Sequence, residues 1–157
     1  MSRVPPAIDA FLGQRRIAVA GVSRNSKKTA NGIYRKLRDA GYEVFPVNPA
    51  ASEVEGVACF ADLGAIPGGV DAVMAVTPPA AGAALVGRCA ELGIRRIWFH
   101  RGLGPTSVSP EAIAAGRRHG VEVIAGACPM MYVAPVDPVH HCARWFLGRP
   151  AVTRPTA

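Results

Sequence analysis

The sequence predicts a single α/β domain with a doubly wound, mostly parallel sheet and helices on both faces. Three observations carry that prediction. The apolar run Ile17–Ala20 meets Gly21, and a polar, basic loop then leads into a helical pattern. This is the strand–turn–helix opening of a nucleotide-binding sheet. Short apolar runs alternate with helix-length segments, the signature of parallel strands joined by crossover helices. One run, Asp71–Val76, is almost wholly apolar, as a strand covered on both faces of a sheet should be.

The elements follow in order. Residues 8–15 form a short leading helix, and the first strand is Arg16–Ala20. A helix over Ala30–Ala40 stops at Gly41, which ends it in a backbone conformation open to glycine. The second strand is Glu43–Val47. A short strand at Val57–Phe60 and a helical turn at Asp62–Ile66 precede the strand Asp71–Val76. Helix Ala80–Leu92 is closed by Gly93, and strand Arg96–Phe99 runs into the loop Gly102-Leu103-Gly104-Pro105. Ser109-Pro110-Glu111 opens the next helix, with serine as N-cap and proline at the first helical position. That helix ends at His119-Gly120, the last strand is Val121–Ile124, and a final helix spans Pro138–Leu147. Residues 1–147 form the domain. Residues 148–157 carry two prolines and no core pattern, and are expected as a flexible tail. No internal repeat is visible.

A chain of 157 residues is one domain's worth and buries a substantial core. Half the residues are apolar and 18% are charged. No apolar run approaches the roughly 20 residues needed to cross a membrane, and Met1–Ala10 has no signal-peptide core. Cys59, Cys89, Cys128 and Cys142 are widely spaced. Without a C-x-x-C pair they signal neither zinc nor a redox dithiol. Reduced cysteines and a cytoplasmic setting are expected.

The net charge is +7, and residues 1–38 hold nine of the eighteen Lys and Arg against one acid, Asp9. Such a region attracts a polyanion. Nucleic acid is disfavoured, because neither an aromatic-rich strand pair nor a recognition-helix motif is present. The charge coincides instead with the first loop. At the positions of the dinucleotide fingerprint G-x-G-x-x-G stand Gly21, Ser23 and Ser26. Gly21 serves the tight turn, Ser23 offers a hydroxyl, and Arg24, Lys27 and Lys28 supply charge. Free amides at a helix start already favour an anion. The charge suggests more phosphate than one pyrophosphate. NAD-binding sheets carry an acid at the end of the second strand for the ribose hydroxyl. Here that strand ends in Asn48-Pro49, which argues against NAD. NADP stays open, since Arg24 or Lys27 could hold its 2′-phosphate.

The segments Ala20–Lys28 (AGVSRNSKK), Gly41–Pro49 (GYEVFPVNP), Gly56, Val70–Pro79, Ile94–Gly102 and His119–Met130 resemble the small stand-alone CoA-binding proteins. That family shares the CoA-binding domain of the succinyl-CoA synthetase α subunit and of related acyl-CoA synthetases. The similarity covers about residues 8–130, and GYxVxPVNP after a GxS loop is its most specific part. The chain departs from the pattern at Lys27-Lys28-Thr29, where a proline is common, and at Phe99-His100, where a glutamine is more usual. The resemblance implies a Rossmann-like fold and coenzyme A, or an acyl-CoA, as ligand.

Ligands of open parallel sheets lie beyond the carboxyl ends of the strands. The expected binding residues are therefore Gly21, Val22, Ser23, Lys27 and Lys28 around the phosphates, with Asn48 and Pro49 at the adenosine. Thr77 and Pro78 flank the nucleotide, although Thr77 reads equally as a capping threonine. A pantetheine arm or acyl group would reach His100-Arg101-Gly102. His100 has no recognisable acid–base partner and reads as structural. His140-His141 reads as an exposed pair without a third metal ligand. Cys128 reads as a small packing residue rather than a thiol exchanging with bound CoA. Met130, Met131, Tyr132, Trp145 and Phe146 read as core or contact surface. The second domain that carries the phosphorylated histidine of the synthetases is absent from this sequence, so no residue inherits that role.

Three functions stay open. The first is a module that binds CoA or acyl-CoA and performs no chemistry. The second is a CoA-binding subunit that needs a ligase or acyltransferase partner. The third is an NAD(P)-responsive or nucleic-acid-binding regulator. A homodimer through the last helix is also open.

Overall fold

The computed structural model describes residues 3–154. Strands β1 (Arg16–Ala20), β2 (Glu43–Val47), β5 (Ala72–Ala75), β6 (Arg96–Phe99), β7 (Glu122–Ala125) and β8 (Ala151–Thr153) form one sheet in the order β2-β1-β5-β6-β7-β8. The first five are parallel. Strands β3 (Glu53–Val54) and β4 (Val57–Ala58) form a separate antiparallel hairpin.

Helices α1 (Pro6–Leu12), α2 (Thr29–Asp39), α3 (Gly82–Glu91), α4 (Pro110–His119) and α5 (Pro138–Phe146) cover the sheet. Side chains alternate across it, as a period of two requires. Ile17 and Val19 pack with Ile8, Phe11, Ile33 and Leu37 under α1 and α2. Ala18 and Ala20 pack on the other face, in the cluster that holds Val86 and Cys89 of α3 and Ala112 and Ala115 of α4. Trp98 is fully buried, meets Phe11 edge-on at 5.3 Å and donates to the Gly126 carbonyl at 2.7 Å. Its one polar atom is therefore satisfied inside the core.

The local signals act as expected. The Ser109 hydroxyl accepts from the Ala112 amide at 3.1 Å, with Pro110 beginning α4. Gly120 closes α4 at φ +71°, a conformation disfavoured for residues with a Cβ. Most boundaries move by one or two residues, as at Glu122–Ala125 for the expected 121–124, and three elements differ more. The leading helix is Pro6–Leu12 and not residues 8–15. The segment Val57–Phe60 yields only the two-residue β4, with Phe60 bridged to Val47. The expected flexible tail is an ordered edge strand over residues 151–153, antiparallel to β7. Gly148 at φ +69° lies just ahead of it, and Pro150 passes the bare Cα of Gly126. The strand pairs with β7 through its backbone, Val152 packs against the core and Thr153 is buried, contacts too few to show as an apolar pattern. Residues 155–157 lie outside the described residues.

The chain leaves β1 toward β2 on one side and returns to β5 on the other. The carboxyl ends of β1 and β5 thus border the topological switch point, where open α/β sheets leave a crevice.

Candidate functional site

Gly21 ends β1 at φ +99° and donates its amide to the Val47 carbonyl at 3.1 Å. A Cβ there would stand 2.1 Å from the Val76 carbonyl oxygen. Only glycine lets the first loop leave β1 this close to β5. The loop behind it is tied down by its own polar groups. Asn31, fully buried on the first turn of α2, reaches back to Ser23. Its Oδ1 accepts the Ser23 amide at 2.9 Å, and its Nδ2 donates to the Ser23 carbonyl at 2.7 Å. The Ser23 hydroxyl accepts the Asn25 amide, and Asn25 accepts the amides of Lys27 and Lys28.

These bonds take up several of the loop's own donors. The amides of Ser23, Asn25, Lys27 and Lys28 are engaged inside the loop and do not stand free for an anion. The open donors are at the start of α2. Lys28 occupies the N-cap position and no side chain caps the helix, so the amides of Thr29 and Ala30, two residues that line the cleft, have no intrahelical acceptor. Helix dipole and lysine charge add there.

Glu55 completes the network and was not legible in the sequence. The two-residue turn between β3 and β4 places Glu55 at φ +51° and Gly56 at φ +74°, the conformation that tight hairpins need. The Glu55 carboxylate, only 10% exposed, accepts from Asn31 Nδ2 and from Arg35, both at 2.8 Å. Arg35 also donates to the Ser26 carbonyl. The Asn31 amide, with Arg35 beside it, holds the Glu55 carboxyl below the usual carboxylate range. The basic loop therefore carries a buried counter-charge, and Arg35 is committed to it.

Three concavities adjoin the loop. A cleft of about 480 Å³ at the switch point is lined by Gly21, Ser23, Lys28, Thr29, Thr77 and Pro78. The Thr77 hydroxyl is buried there without a hydrogen-bond partner, and buried polar groups are rarely left so. A second cleft of about 520 Å³ shares Gly21, Thr77 and Pro78 and extends past Asn48, Pro49 and Leu85. The third, about 390 Å³, shares Lys28, Thr29, His100 and Pro105 with the first and runs between α2 and α5 past Cys128 and Met130.

The expected site residues distribute unevenly over these clefts. Gly21, Ser23, Lys28, Thr77 and Pro78 meet at the switch point. Val22 does not: its side chain is fully buried in the core and its carbonyl accepts from Asn48 Nδ2 at 2.8 Å. Lys27 lines the α2–α5 cleft instead. Asn48 and Pro49 border the second cleft. The Asn48 side chain also accepts the Ala50 amide at 2.8 Å, so it staples two loops together. Asp62 enters this second cleft, a carboxylate near the end of β2 that the local sequence does not announce. Arg88 donates to it through Nε and Nη2, and the Gly64 amide through a further bond. That pairing holds the Asp62 carboxyl low and neutralises its charge.

His100 is buried where the first and third clefts meet, and burial pushes its imidazole pKa down. None of the ion pairs among the described residues includes it. Cys128 is also buried, with its thiol pushed up to about 11, so at neutral pH it is a protonated wall of the cleft. The expected exposed pair His140-His141 divides. His141 is exposed, whereas His140 is half-buried, lines the α2–α5 cleft and places Nδ1 2.5 Å from Asp137 Oδ2. Asp137 caps α5 through the His140 amide, which orders that pair. No group of three or more His, Cys, Asp or Glu among the described residues could hold a metal. No helix among them is long and apolar enough to cross a membrane.

A family model described as CoA binding domain matches residues 15–134. Subunit alpha of the ADP-forming acetate–CoA ligase II of Pyrococcus furiosus is 29% identical over 128 residues, which are 77% of this chain and 28% of that protein. The uncharacterised protein YneT of Bacillus subtilis is 41% identical over 59 residues, 38% of this chain and 44% of that one. The solved structure of a conserved hypothetical protein from Pyrococcus furiosus superposes with a TM-score of 0.65 at 35% identity. It is matched over 73% of this chain and 96% of its own. The chain thus spans less than half the length of these two curated relatives.

Proposed function

The chain belongs to the CoA binding domain family, and we propose that it binds coenzyme A or an acyl-CoA at the switch-point crevice and performs no chemistry by itself. The observation that carries this reading is a convergence. The uncapped start of α2, Lys28 and the partnerless Thr77 hydroxyl face one cleft that continues in two directions. A ligand with charged phosphates between two dissimilar arms fits that shape.

In this reading the Thr29 and Ala30 amides and Lys28 hold phosphate, through charge-assisted hydrogen bonds worth about 1.5–3 kcal/mol each. Thr77 donates its hydroxyl. The adenosine lies in the second cleft against Pro49, Pro78 and Leu85. The pantetheine arm passes His100 and Pro105 into the cleft between α2 and α5. A protonated Cys128 and a neutral, unpaired His100 serve as walls for that arm. NAD is disfavoured because Asp62, the carboxylate that lines this cleft beside Asn48 and Pro49, is already paired with Arg88.

The test is thermal unfolding with CoA, dephospho-CoA, NAD and NADP at equal concentration. At a hundredfold excess over Kd a ligand adds about 2.7 kcal/mol, or roughly 5–11 °C for a chain of this size. CoA should shift the midpoint most, and dephospho-CoA less. Lys28→Glu should weaken CoA at least tenfold, about 1.4 kcal/mol. A larger shift with NAD or NADP, or none with CoA, would overturn the assignment.

A second reading has its own support. The ligase relative is named as a subunit, and this chain spans 28% of it. A CoA-binding subunit working with a separate ligase chain would show acyl transfer only after that partner is added.

A further inference from the structure

Helix α5 turns an apolar side outward. Val139 is 63% exposed, Trp145 83% and Phe146 86%, and Leu103 of the facing loop is 79% exposed. Of these, Leu103, Val139 and Phe146 share one groove, and large apolar side chains gathered so are unusual on a free surface. These residues are not isolated from the candidate site. A groove of about 490 Å³ is lined by Leu103, Pro138, Val139, Cys142, Ala143 and Phe146, and contains no charged side chain. Leu103, Val139 and Ala143 also line the α2–α5 cleft. That cleft in turn shares Lys28, Thr29, His100 and Pro105 with the switch-point cleft. A continuous path therefore leads from the start of α2 to the outer face of α5. It is charged at the first end and apolar at the last.

We propose that this path selects an acyl-CoA with an uncharged aliphatic chain, whose tail lies along Leu103, Val139 and Phe146. The inference rests on the CoA reading above and adds the class of acyl group. The inner cleft has an apolar side of Ile33, Met130, Met131 and Ala143 opposite polar residues that include Lys27, Arg35 and His140. The outer groove beyond it holds no charged side chain, so an aliphatic tail long enough to reach it meets apolar surface alone. Methionines adapt to chains of differing length. Each methylene removed from water should tighten binding about threefold to fourfold while the groove lasts.

The experiment is titration calorimetry of the whole chain with CoA, acetyl-CoA, butanoyl-CoA and octanoyl-CoA. Octanoyl-CoA should bind at least tenfold tighter than acetyl-CoA, with butanoyl-CoA between. Phe146→Asp should cut the ratio of octanoyl-CoA to CoA affinity at least fivefold. Leu103→Ser, on an exposed loop, should cut it in the same direction. If CoA itself does not bind, the proposed function fails and takes this inference with it. If CoA binds but all acyl chains bind alike, the inference alone fails. A preference that survives both substitutions places the tail elsewhere and overturns it. A dimer by light scattering with no octanoyl advantage would assign the α5 face to a second copy instead.

Discussion

The loop from Gly21 to Lys28 and the groove along α5 sit on adjoining clefts, yet their side chains are held in different ways. In the loop every turn is pinned. Asn31 grips both backbone groups of Ser23, Asn25 holds the next amides, and Glu55 fixes Asn31 from across the hairpin. Along α5 the residues that face the groove make few bonds. Phe146 and Val139 project outward, and Ala143 is the helix's one buried residue among those described. The first region is preorganised by these bonds, so under the proposed reading a charged ligand would meet donors at the start of α2 that need no reordering. The second gains from burial alone, which is non-directional and scales with apolar area. Polar recognition demands fixed geometry, whereas apolar selection demands only a dry surface of the right length.

Breaking the pinned region should have the largest effect. Gly21→Ala puts a methyl group within 2.1 Å of the Val76 carbonyl. It should destabilise the fold by about 3 kcal/mol or more, lowering the thermal midpoint by roughly 6–12 °C. An unchanged melting curve would show that the β1–β5 approach relaxes freely.

Asn31→Ala comes next. It strips partners from the Ser23 amide and carbonyl and one from Glu55, and each unmet buried group costs about 1–3 kcal/mol. Urea denaturation should show a loss of roughly 2–4 kcal/mol, and CoA affinity should fall with it. If affinity holds while stability drops, the Ser23 pin serves the fold and not the ligand.

A smaller effect should appear with pH, and it separates the two causes of charge at the site. Glu55 has a lowered carboxyl pKa because Asn31 and Arg35 hold its ionised form. Its contribution is complete above the ordinary value of 4.5 and is lost as the pH falls through the lowered folded value. His100 is shifted by burial, which favours the neutral ring. Below 6.5 the unfolded chain takes up a proton that the folded chain refuses, so stability begins to fall there. Glu55→Gln should flatten the acid limb below 4.5, and His100→Gln the limb below 6.5. Identical pH profiles for both variants and the parent would remove these groups from the balance.

Least affected should be Trp145→Ala. With 83% of that residue exposed, the stability should change by no more than about 0.5 kcal/mol. A loss above that would mean the α5 face is covered in solution.

Much of this molecule is legible along the chain. Strands β1, β2 and β6 fall on the residues that their apolar runs delimit, Gly41 and Gly93 end their helices, and Ser109 caps α4. The switch-point loop follows from Gly21 and the basic run after it. The site itself was only partly visible. Gly21, Ser23, Lys28, Thr77 and Pro78 line one cleft, whereas Val22 is turned into the core and Lys27 into the neighbouring cleft. Asn31 and Glu55 carried no local signal at all. An asparagine on a helix and a glutamate in a tight turn look like solvent-facing polar residues until the hairpin folds over α2.

By itself the sequence determined the alternation of strand and helix, the glycine turn off β1 and the cationic character of the first loop, because each depends on neighbours a few residues away. Tertiary structure alone decided the pairing of Asn31 with Glu55, of Asp62 with Arg88, and of residues 151–153 with β7. Those contacts join segments 24 to 30 or so residues apart, and their partners are chosen by where the sheet brings the chain together. Burial then makes the choice matter, since a polar group shut away from water must find its partner within reach.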